Sequence, residues 1–172
     1  MKTILLISLG LVLIVGMVMV IFAIIISDTR SATHKVRFNA TLEQVWTIYT
    51  TPARQPEWRT EIATIEHMNG DFGHRTWTEV DHRGLRISFQ EIIAEPPRRY
   101  ELNTSSDGYF EGHYSAVFEY IEPGVVEGTF TESMTTQTFL AKIMALVFVR
   151  PRAMIENYAA QAQREIDRRR LQ

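Results

Sequence analysis

The sequence predicts an α+β fold in which a curved antiparallel sheet of seven strands surrounds a long C-terminal helix. Three observations support this fold class. After residue 33 the chain contains seven short segments in which apolar and polar residues alternate, as they do in half-buried strands. Most of these segments are separated by tight turns, so successive strands are expected to pair as an antiparallel meander. The last segment, Phe139–Arg170, has the periodicity of a helix instead.

The predicted strands and two short helices follow one another between recognisable turns. Thr41 is a suitable N-cap for a first helix, Leu42–Tyr49, and Pro56 is suited to start a second helical turn. The pair Asn69-Gly70 is typical of a turn between strands. The strands are expected at His34–Ala40, Ala63–Met68, Arg75–Asp81, Leu85–Ala94, Arg99–Ser105, Tyr109–Ile121 and Val125–Thr135.

The C-terminal segment Phe139–Arg170 has two different halves. From Phe139 to Val149 it is apolar almost all round, so it needs a second apolar neighbour, which the curved sheet can supply. The remainder is amphipathic, with one stripe suited to burial that consists of Ile155, Tyr158 or Ala159, Ala162 and Ile166. Pro151 lies between the halves and removes a helical hydrogen bond, which predicts a kink or break at Phe148–Arg152.

The N-terminal segment has a different character from the rest of the chain. Residues 3–26 carry no charge, and as a helix they would extend about 36 Å, enough to cross a bilayer. The run is longer than the apolar region of about 7–15 residues in a cleaved signal peptide. We therefore predict a single-pass cell-membrane anchor over residues 1–27, a linker over 28–33 and an extracytoplasmic domain over 34–172.

The composition excludes several classes of function. The net charge is −2, and no basic stripe with interleaved aromatic residues is present, so a nucleic-acid partner is not expected. The chain has no cysteine, which excludes disulfides, thiolate metal sites and a cysteine nucleophile. The five histidines lack the spacing of metal ligands. We expect no metal, no cofactor and no recognisable catalytic set, and the sequence does not reveal the oligomeric state.

Several short motifs point to a family. Asn39–Trp46 covers the first strand-to-helix junction, Thr51-Pro52 and Pro56–Trp58 follow it, and Glu95–Tyr100 connects two strands. Together with the element order, they resemble the START/Bet v 1-like helix-grip superfamily (SRPBCC), in particular bacterial polyketide cyclase/dehydrase-like proteins. The resemblance covers about residues 34–170 and implies an internal cavity for hydrophobic ligands. It does not fix an activity, because members include lipid carriers, cyclases and proteins without a known ligand.

The side chains predicted to face inward form the candidate binding site for a hydrophobic small molecule or a lipid. They either fill a solid core or line a pocket, and the sequence leaves both interpretations open. The candidate ligand-binding residues are Trp77, Phe89, Tyr114, Phe130, Met134, Ile143, Met144 and Val147.

Three acidic residues are an even number of positions from inward-facing residues of the same strand, so their side chains are expected on the inner face: Glu79, Glu91 and Glu132. A carboxylate on an apolar face needs a partner, becomes protonated or faces a wet cavity. The other interpretation is that a bulge moves these side chains to the outer face of the sheet, or that these acids lie in water at strand ends.

The sequence leaves three functions open. The first is a membrane-anchored binding or carrier protein for a hydrophobic small molecule or lipid, which requires an apolar cavity. The second is an enzyme of the polyketide cyclase/dehydratase type, in which one of the three acids converges with His113, Tyr114 or an arginine. The third is an interaction module that docks the apolar Phe139–Val149 segment on a partner.

Overall fold

The structure, a computed structural model, describes residues 2–25, 27–148 and 150–171, and the side chains of residues 2–7, 19, 22–25, 147 and 148 lie outside this description. In chain order the elements are α1 (Lys2–Ile25), β1 (Thr29–Asn39), α2 (Leu42–Tyr49), a 3-10 helix (Pro52–Glu57), β2 (Ile62–Asn69), β3 (Thr76–Asp81), β4 (Arg86–Glu95), β5 (Arg99–Ser106), β6 (Phe110–Glu122), β7 (Val125–Thr136), α3 (Phe139–Phe148) and α4 (Pro151–Arg170).

The strands form one antiparallel sheet in the order β1-β7-β6-β5-β4-β3-β2, which confirms the predicted meander. Strand β1 begins at Thr29, so most of the segment predicted as a linker pairs with the end of β7. Threonine hydroxyls join the two strands there, Thr29 to Thr135 at 2.8 Å and Thr33 to Thr131 at 3.0 Å. These residues lack the apolar alternation on which strand prediction depends.

An aromatic cluster forms the core between the sheet and helix α2. The ring of Tyr49 lies 5.1 Å from that of Phe130 and 5.4 Å from that of Phe118, measured between centroids. Gly128 leaves room for this cluster, because a Cβ atom there would lie 2.7 Å from Phe130 and 3.1 Å from Phe38. The stripe of α4 that packs towards the sheet is the predicted one and contains Ile155, Ala159, Ala162 and Ile166.

The C-terminal segment is broken where its proline predicts. Helix α3 ends at Phe148, and Pro151 is the first residue of α4, a position where its missing N–H group is tolerated. Helix α3 turns Ala141 and Ala145 inward and leaves Leu140 exposed. It contacts both β7 and α1, so the apolar first half has the N-terminal helix as a neighbour besides the sheet.

Helix α1 coincides with the uncharged N-terminal run. Its described apolar side chains are largely exposed, including Leu11, Val12 and Leu13. Within the described residues, no helix combines the length and the apolar character needed to cross a membrane. The structure therefore does not support the membrane anchor that the sequence predicts over residues 1–27.

Candidate ligand-binding cavity

A cavity of about 530 Å³ lies between the inner face of the sheet and helices α3 and α4. Its size falls within the range of about 300–1,000 Å³ that is usual for small-molecule sites. The helices contribute short side chains to this wall, Ala141 and Ala145, so space remains between them and the strands. Of the two interpretations that the sequence left open, a solid core or a lined pocket, the structure has the pocket.

Six of the eight predicted binding residues line the cavity. Ile143 does not line it, because successive helical residues are rotated by about 100° and Ile143 lies on the face opposite Ala141 and Ala145. The side chain of Val147 lies outside the described residues. The predicted residues that line the cavity are Trp77, Phe89, Tyr114, Phe130, Met134 and Met144.

The mouth of the cavity is formed by exposed apolar side chains. Leu85 and Tyr109 come from the turns before β4 and β6, and Met144 and Met154 come from the helices on either side of the Pro151 break. The break therefore lies at the rim, where α3 and α4 separate.

One end of the cavity contains a buried ion pair between Arg59 and Glu79. Nη1 of Arg59 donates to both carboxylate oxygens of Glu79, at 2.9 and 3.1 Å, and Nε donates to Glu61 at 2.8 Å. The guanidinium also lies 4.7 Å from the ring centroid of Tyr158. Burial raises the pKa of Glu79 and the Arg59 charge opposes that rise. Burial acts to lower the pKa of Arg59, but its acidic neighbours raise the pKa above the usual value, so it remains a cation.

Arg59 is a cavity residue that sequence reasoning missed. It lies in the connection between the 3-10 helix and β2, and an isolated arginine in a loop usually extends into solvent. Its position depends on α4, where Gln161 accepts a hydrogen bond from the Thr60 N–H at 2.8 Å and donates to Glu61 at 2.9 Å. The inward position of Tyr158 could be expected, because Tyr158 or Ala159 was predicted for the buried stripe of α4.

Glu91 belongs to a second buried ion pair, and it does not line the cavity. Its carboxylate accepts hydrogen bonds from Arg75 Nε at 2.9 Å, from the Gly73 N–H at 2.7 Å and from the Tyr100 hydroxyl at 2.7 Å. These donors hold the pKa of Glu91 below its usual value although burial acts in the opposite direction. A bulge follows Glu91 and moves Ile93 away from the inner face.

Glu132 is the third acid of the inner face, and no described residue is its partner. It lies directly opposite Tyr114 in the β6–β7 ladder, and both side chains line the cavity. Among the described residues nothing forms a hydrogen bond or an ion pair with its carboxyl group. Burial raises the pKa of Glu132, and the charge of Arg59 opposes that rise.

Further polar atoms in the cavity wall also lack partners. The hydroxyl oxygens of Tyr49 and Tyr114 and the indole nitrogen of Trp77 are buried without a hydrogen bond to any described residue. The Trp77 N–H lies near enough to Glu79 to lower the pKa of that carboxyl, although the pair does not reach hydrogen-bonding geometry. The cavity is therefore apolar in most of its wall, with a few unsatisfied polar groups.

The arrangement changes the list of possible catalytic groups. His113 lies on the outer face, because it precedes the inward-facing Tyr114 by one residue, and its ring is near Asn103 and Glu101. It therefore does not converge with the inner acids, and of the alternatives in the enzyme hypothesis there remain Tyr114 opposite Glu132 and Arg59 beside Glu79. Within the described part of the chain no group of His, Asp and Glu side chains is arranged to hold a metal ion.

Comparisons with known proteins support the fold. No protein-family model and no curated protein sequence matches the chain. An aromatase/cyclase from a Streptomyces species superposes with a TM-score of 0.70 at 12% identity, over 82% of this chain and 95% of that one. Norcoclaurine synthase from Thalictrum flavum gives 0.64 at 10% identity, over 83% and 96%. A conserved protein from Geobacillus kaustophilus gives 0.64 at 15%, over 81% and 96%.

At these identities the likeness shows the fold alone. The chain has the helix-grip, Bet v 1-like fold, with a seven-stranded antiparallel sheet and a C-terminal helix, and this confirms the fold expected from the sequence resemblance.

Proposed function

We propose that this helix-grip domain binds a hydrophobic small molecule or lipid in the cavity between its sheet and its C-terminal helices. The supporting observation is the cavity of about 530 Å³ itself, whose wall is mostly aromatic and aliphatic. Protein interiors are normally packed without voids much larger than a water molecule. A space of this size in the centre of the domain is therefore better explained by a ligand than by packing.

Two measurements on the full chain test this proposal. Native mass spectrometry of the detergent-extracted protein is expected to show a co-purified apolar molecule. Titration with the fluorescent apolar probe N-phenyl-1-naphthylamine is expected to show saturable binding with one site per chain. An absence of both signals in a folded protein would refute the proposal.

A pair of variants on helix α3 connects the binding to the cavity. Ala145→Leu extends a side chain into the cavity and is expected to reduce probe binding at least about tenfold, because the lost volume excludes the ring system. Ile143→Phe adds volume on the opposite face of the same helix and is the matched control. Equal loss of binding in both variants would mean that the probe binds elsewhere.

The location at a membrane is a separate proposal. We propose that α1 holds the chain at the cell membrane with the domain on the extracytoplasmic side, because residues 3–26 are uncharged and apolar. Full-length protein is then expected to stay in the membrane fraction after alkaline carbonate washing, and protease added outside intact cells is expected to cleave the domain. Release by carbonate would exclude the anchor without affecting the binding proposal.

An enzyme of the cyclase or dehydratase type is the second candidate, and Glu132 favours it. An acid with a raised pKa beside a phenol can exchange protons with a bound ketone. Incubation with an aryl polyketone followed by mass spectrometry is the test, with loss of water as the expected product signal. Glu132→Gln is expected to abolish that product, whereas turnover that persists in this variant would remove Glu132 from the candidate mechanism.

A further inference from the structure

Three unpartnered polar side chains converge on one part of the cavity wall. Tyr49 and Tyr114 both pack on Phe130, with ring centroids 5.1 and 6.4 Å from it and interplanar angles of 25° and 29°. Glu132 follows Phe130 by two residues on β7 and faces Tyr114 across the ladder. Tyr49 is only 2% exposed, so bulk water does not reach its ring.

Unsatisfied groups in this position indicate a missing partner. Buried polar atoms in folded proteins are nearly always hydrogen-bonded, and those that are not need an explanation. Here two buried phenol hydroxyls form no hydrogen bond to any described residue. The half-buried carboxyl of Glu132 has no partner among the described residues either, and all three side chains line the same cavity. A ligand that enters the cavity is therefore expected to bring a polar group to this wall.

The charges around the cavity indicate which polar group fits. The ionisable residues that line it are Arg30, Arg59, Arg83, Glu79 and Glu132, so cations outnumber anions with Glu132 either ionised or protonated. The positive charge of Arg59 acts on both Tyr49 and Glu132, because it opposes the rise in pKa that burial causes in each. A second buried cation would be repelled by this field, whereas an electron-rich oxygen would be stabilised.

The protonation states of the three groups also favour a hydrogen-bond acceptor as the polar group of the ligand. Burial raises the pKa of both phenols well above its usual value, so each hydroxyl keeps its proton and can donate. A carboxyl group that is protonated in an apolar site also donates a hydrogen bond. A carbonyl oxygen has two lone pairs and can accept from two or three such donors.

We propose that Tyr49, Tyr114 and Glu132 form a polar subsite that binds the carbonyl oxygen of an otherwise apolar ligand. This inference rests on the proposed binding function, since it requires that the cavity holds a ligand. It adds the chemical class of that ligand, a hydrophobic ketone or related carbonyl compound, and it identifies the end of the cavity at which the oxygen lies.

The test compares fluorene with 9-fluorenone, two tricyclic molecules of nearly equal shape that differ by one carbonyl oxygen. Isothermal titration of the full chain is expected to show that fluorenone binds about tenfold more tightly, as expected for one to two additional hydrogen bonds. The infrared carbonyl stretch of bound fluorenone is expected at lower frequency than in an alkane solvent, because hydrogen-bond donors weaken the C=O bond.

Variants then assign the donors. Tyr114→Phe, Tyr49→Phe and Glu132→Leu are each expected to reduce the preference for fluorenone by about three- to tenfold and to move the carbonyl stretch towards its alkane value. Binding of fluorene is expected to change little. Tyr120→Phe is the matched control, because this tyrosine is exposed and does not line the cavity, and it is expected to leave the preference and the stretch unchanged.

The possible outcomes are distinguishable. If neither molecule binds the folded chain and the naphthylamine probe and a co-purified ligand are absent as well, the proposed binding function fails and the subsite fails with it. If fluorene binds as tightly as fluorenone, or if the stretch is unshifted in the wild type, the subsite is refuted while the cavity remains a binding site. A shift that survives all three substitutions would mean that water or another group supplies the donors. Tighter binding of 9-aminofluorene than of fluorenone would show that the subsite prefers a cation.

Discussion

Glu91 and Glu132 lie on the inner face of the same sheet, and their surroundings differ completely. The carboxylate of Glu91 is surrounded by donors from Arg75, Gly73 and Tyr100, which lower its pKa. The carboxyl group of Glu132 has no donor among the described residues, and burial raises its pKa. Both are acids on an apolar face, yet only one is satisfied by the chain itself.

The difference follows from what covers each part of the sheet. Near Glu91, the segment before β3 turns back over the sheet, so that Arg75 reaches both Glu91 and the carbonyl of Thr50 at the end of α2, at 2.9 Å. Near Glu132, the covering elements are α3 and α4, which separate at Pro151 and leave the cavity between themselves and the strands. Where the chain covers the sheet, it supplies hydrogen-bond donors to Glu91. Where the cavity separates the sheet from α3 and α4, no described residue donates to Glu132.

The largest predicted effect comes from the same substitution in the two regions. Glu91→Leu leaves Arg75 as an unpaired, partly buried charge and is expected to lower the free energy of unfolding by about 3–5 kcal/mol. Glu132→Leu removes an unpaired carboxyl from an apolar wall and is expected to be neutral or stabilising. Urea denaturation of both variants measures the difference. Similar losses in both would show that Glu132 has a structural partner.

A second prediction compares the packed and the hollow parts of the interior. Gly128→Ala adds one methyl group against Phe130 and Phe38, at 2.7 and 3.1 Å, and is expected to destabilise the protein by about 1–3 kcal/mol through overpacking. Ala145→Leu adds more atoms but directs them into the cavity, and we expect a smaller loss or none. Thermal unfolding of the two variants is the measurement, and a larger loss for Ala145→Leu would contradict the presence of free space.

Much of the fold could be predicted because its signals are local. The strand ends depend on alternation and on turn residues, and the break before α4 depends on Pro151, so each was visible in the sequence. The start of β1 was not visible, because Thr29 and its neighbours are mostly polar and pair with β7 residues that lie 98 to 106 positions later in the chain. Their strand conformation depends on a partner strand and not on a local pattern.

The site could be predicted only on the strands, where side chains alternate between the inner and the outer face of the sheet. Alternation placed Tyr114 and Phe130 inward correctly, but it could not orient Ile143, because an almost entirely apolar helix has no face that the pattern distinguishes. The alternation also predicted an inward-facing side chain for both Glu91 and Glu132, and it did not distinguish their surroundings. What separates them is Arg75, which reaches one acid and not the other, and this choice of partner is a property of the folded chain.

A third prediction concerns pH, and the two acids are expected to act in opposite directions. The lowered pKa of Glu91 means that its stabilisation is present above the unfolded value of about 4.5 and is lost as the pH falls through the lower folded value. The raised pKa of Glu132 means that the folded state becomes less favourable as the pH rises from about 4.5 through the higher folded value.

Glutamine variants isolate these contributions in urea denaturation between pH 3 and pH 8. The advantage of the wild type over Glu91→Gln is expected to grow as the pH rises from the acidic end. The stability of Glu132→Gln relative to the wild type is also expected to rise with pH, since the wild type alone must ionise a buried acid. Parallel wild-type and Glu132→Gln curves would show that this carboxyl ionises as freely as in the unfolded chain.

The smallest predicted effect separates the two faces of one strand. His113 and Tyr114 are adjacent on β6, but His113 points outward, with its ring 3.4 Å from Glu101, while Tyr114 lines the cavity. His113→Ala is expected to change the free energy of unfolding by no more than about 0.5 kcal/mol, because it removes only a surface contact. It is also expected to leave binding of fluorenone unchanged, in contrast to Tyr114→Phe. Loss of ligand binding in His113→Ala would place its ring in the cavity and would restore it as a candidate proton donor beside Glu132.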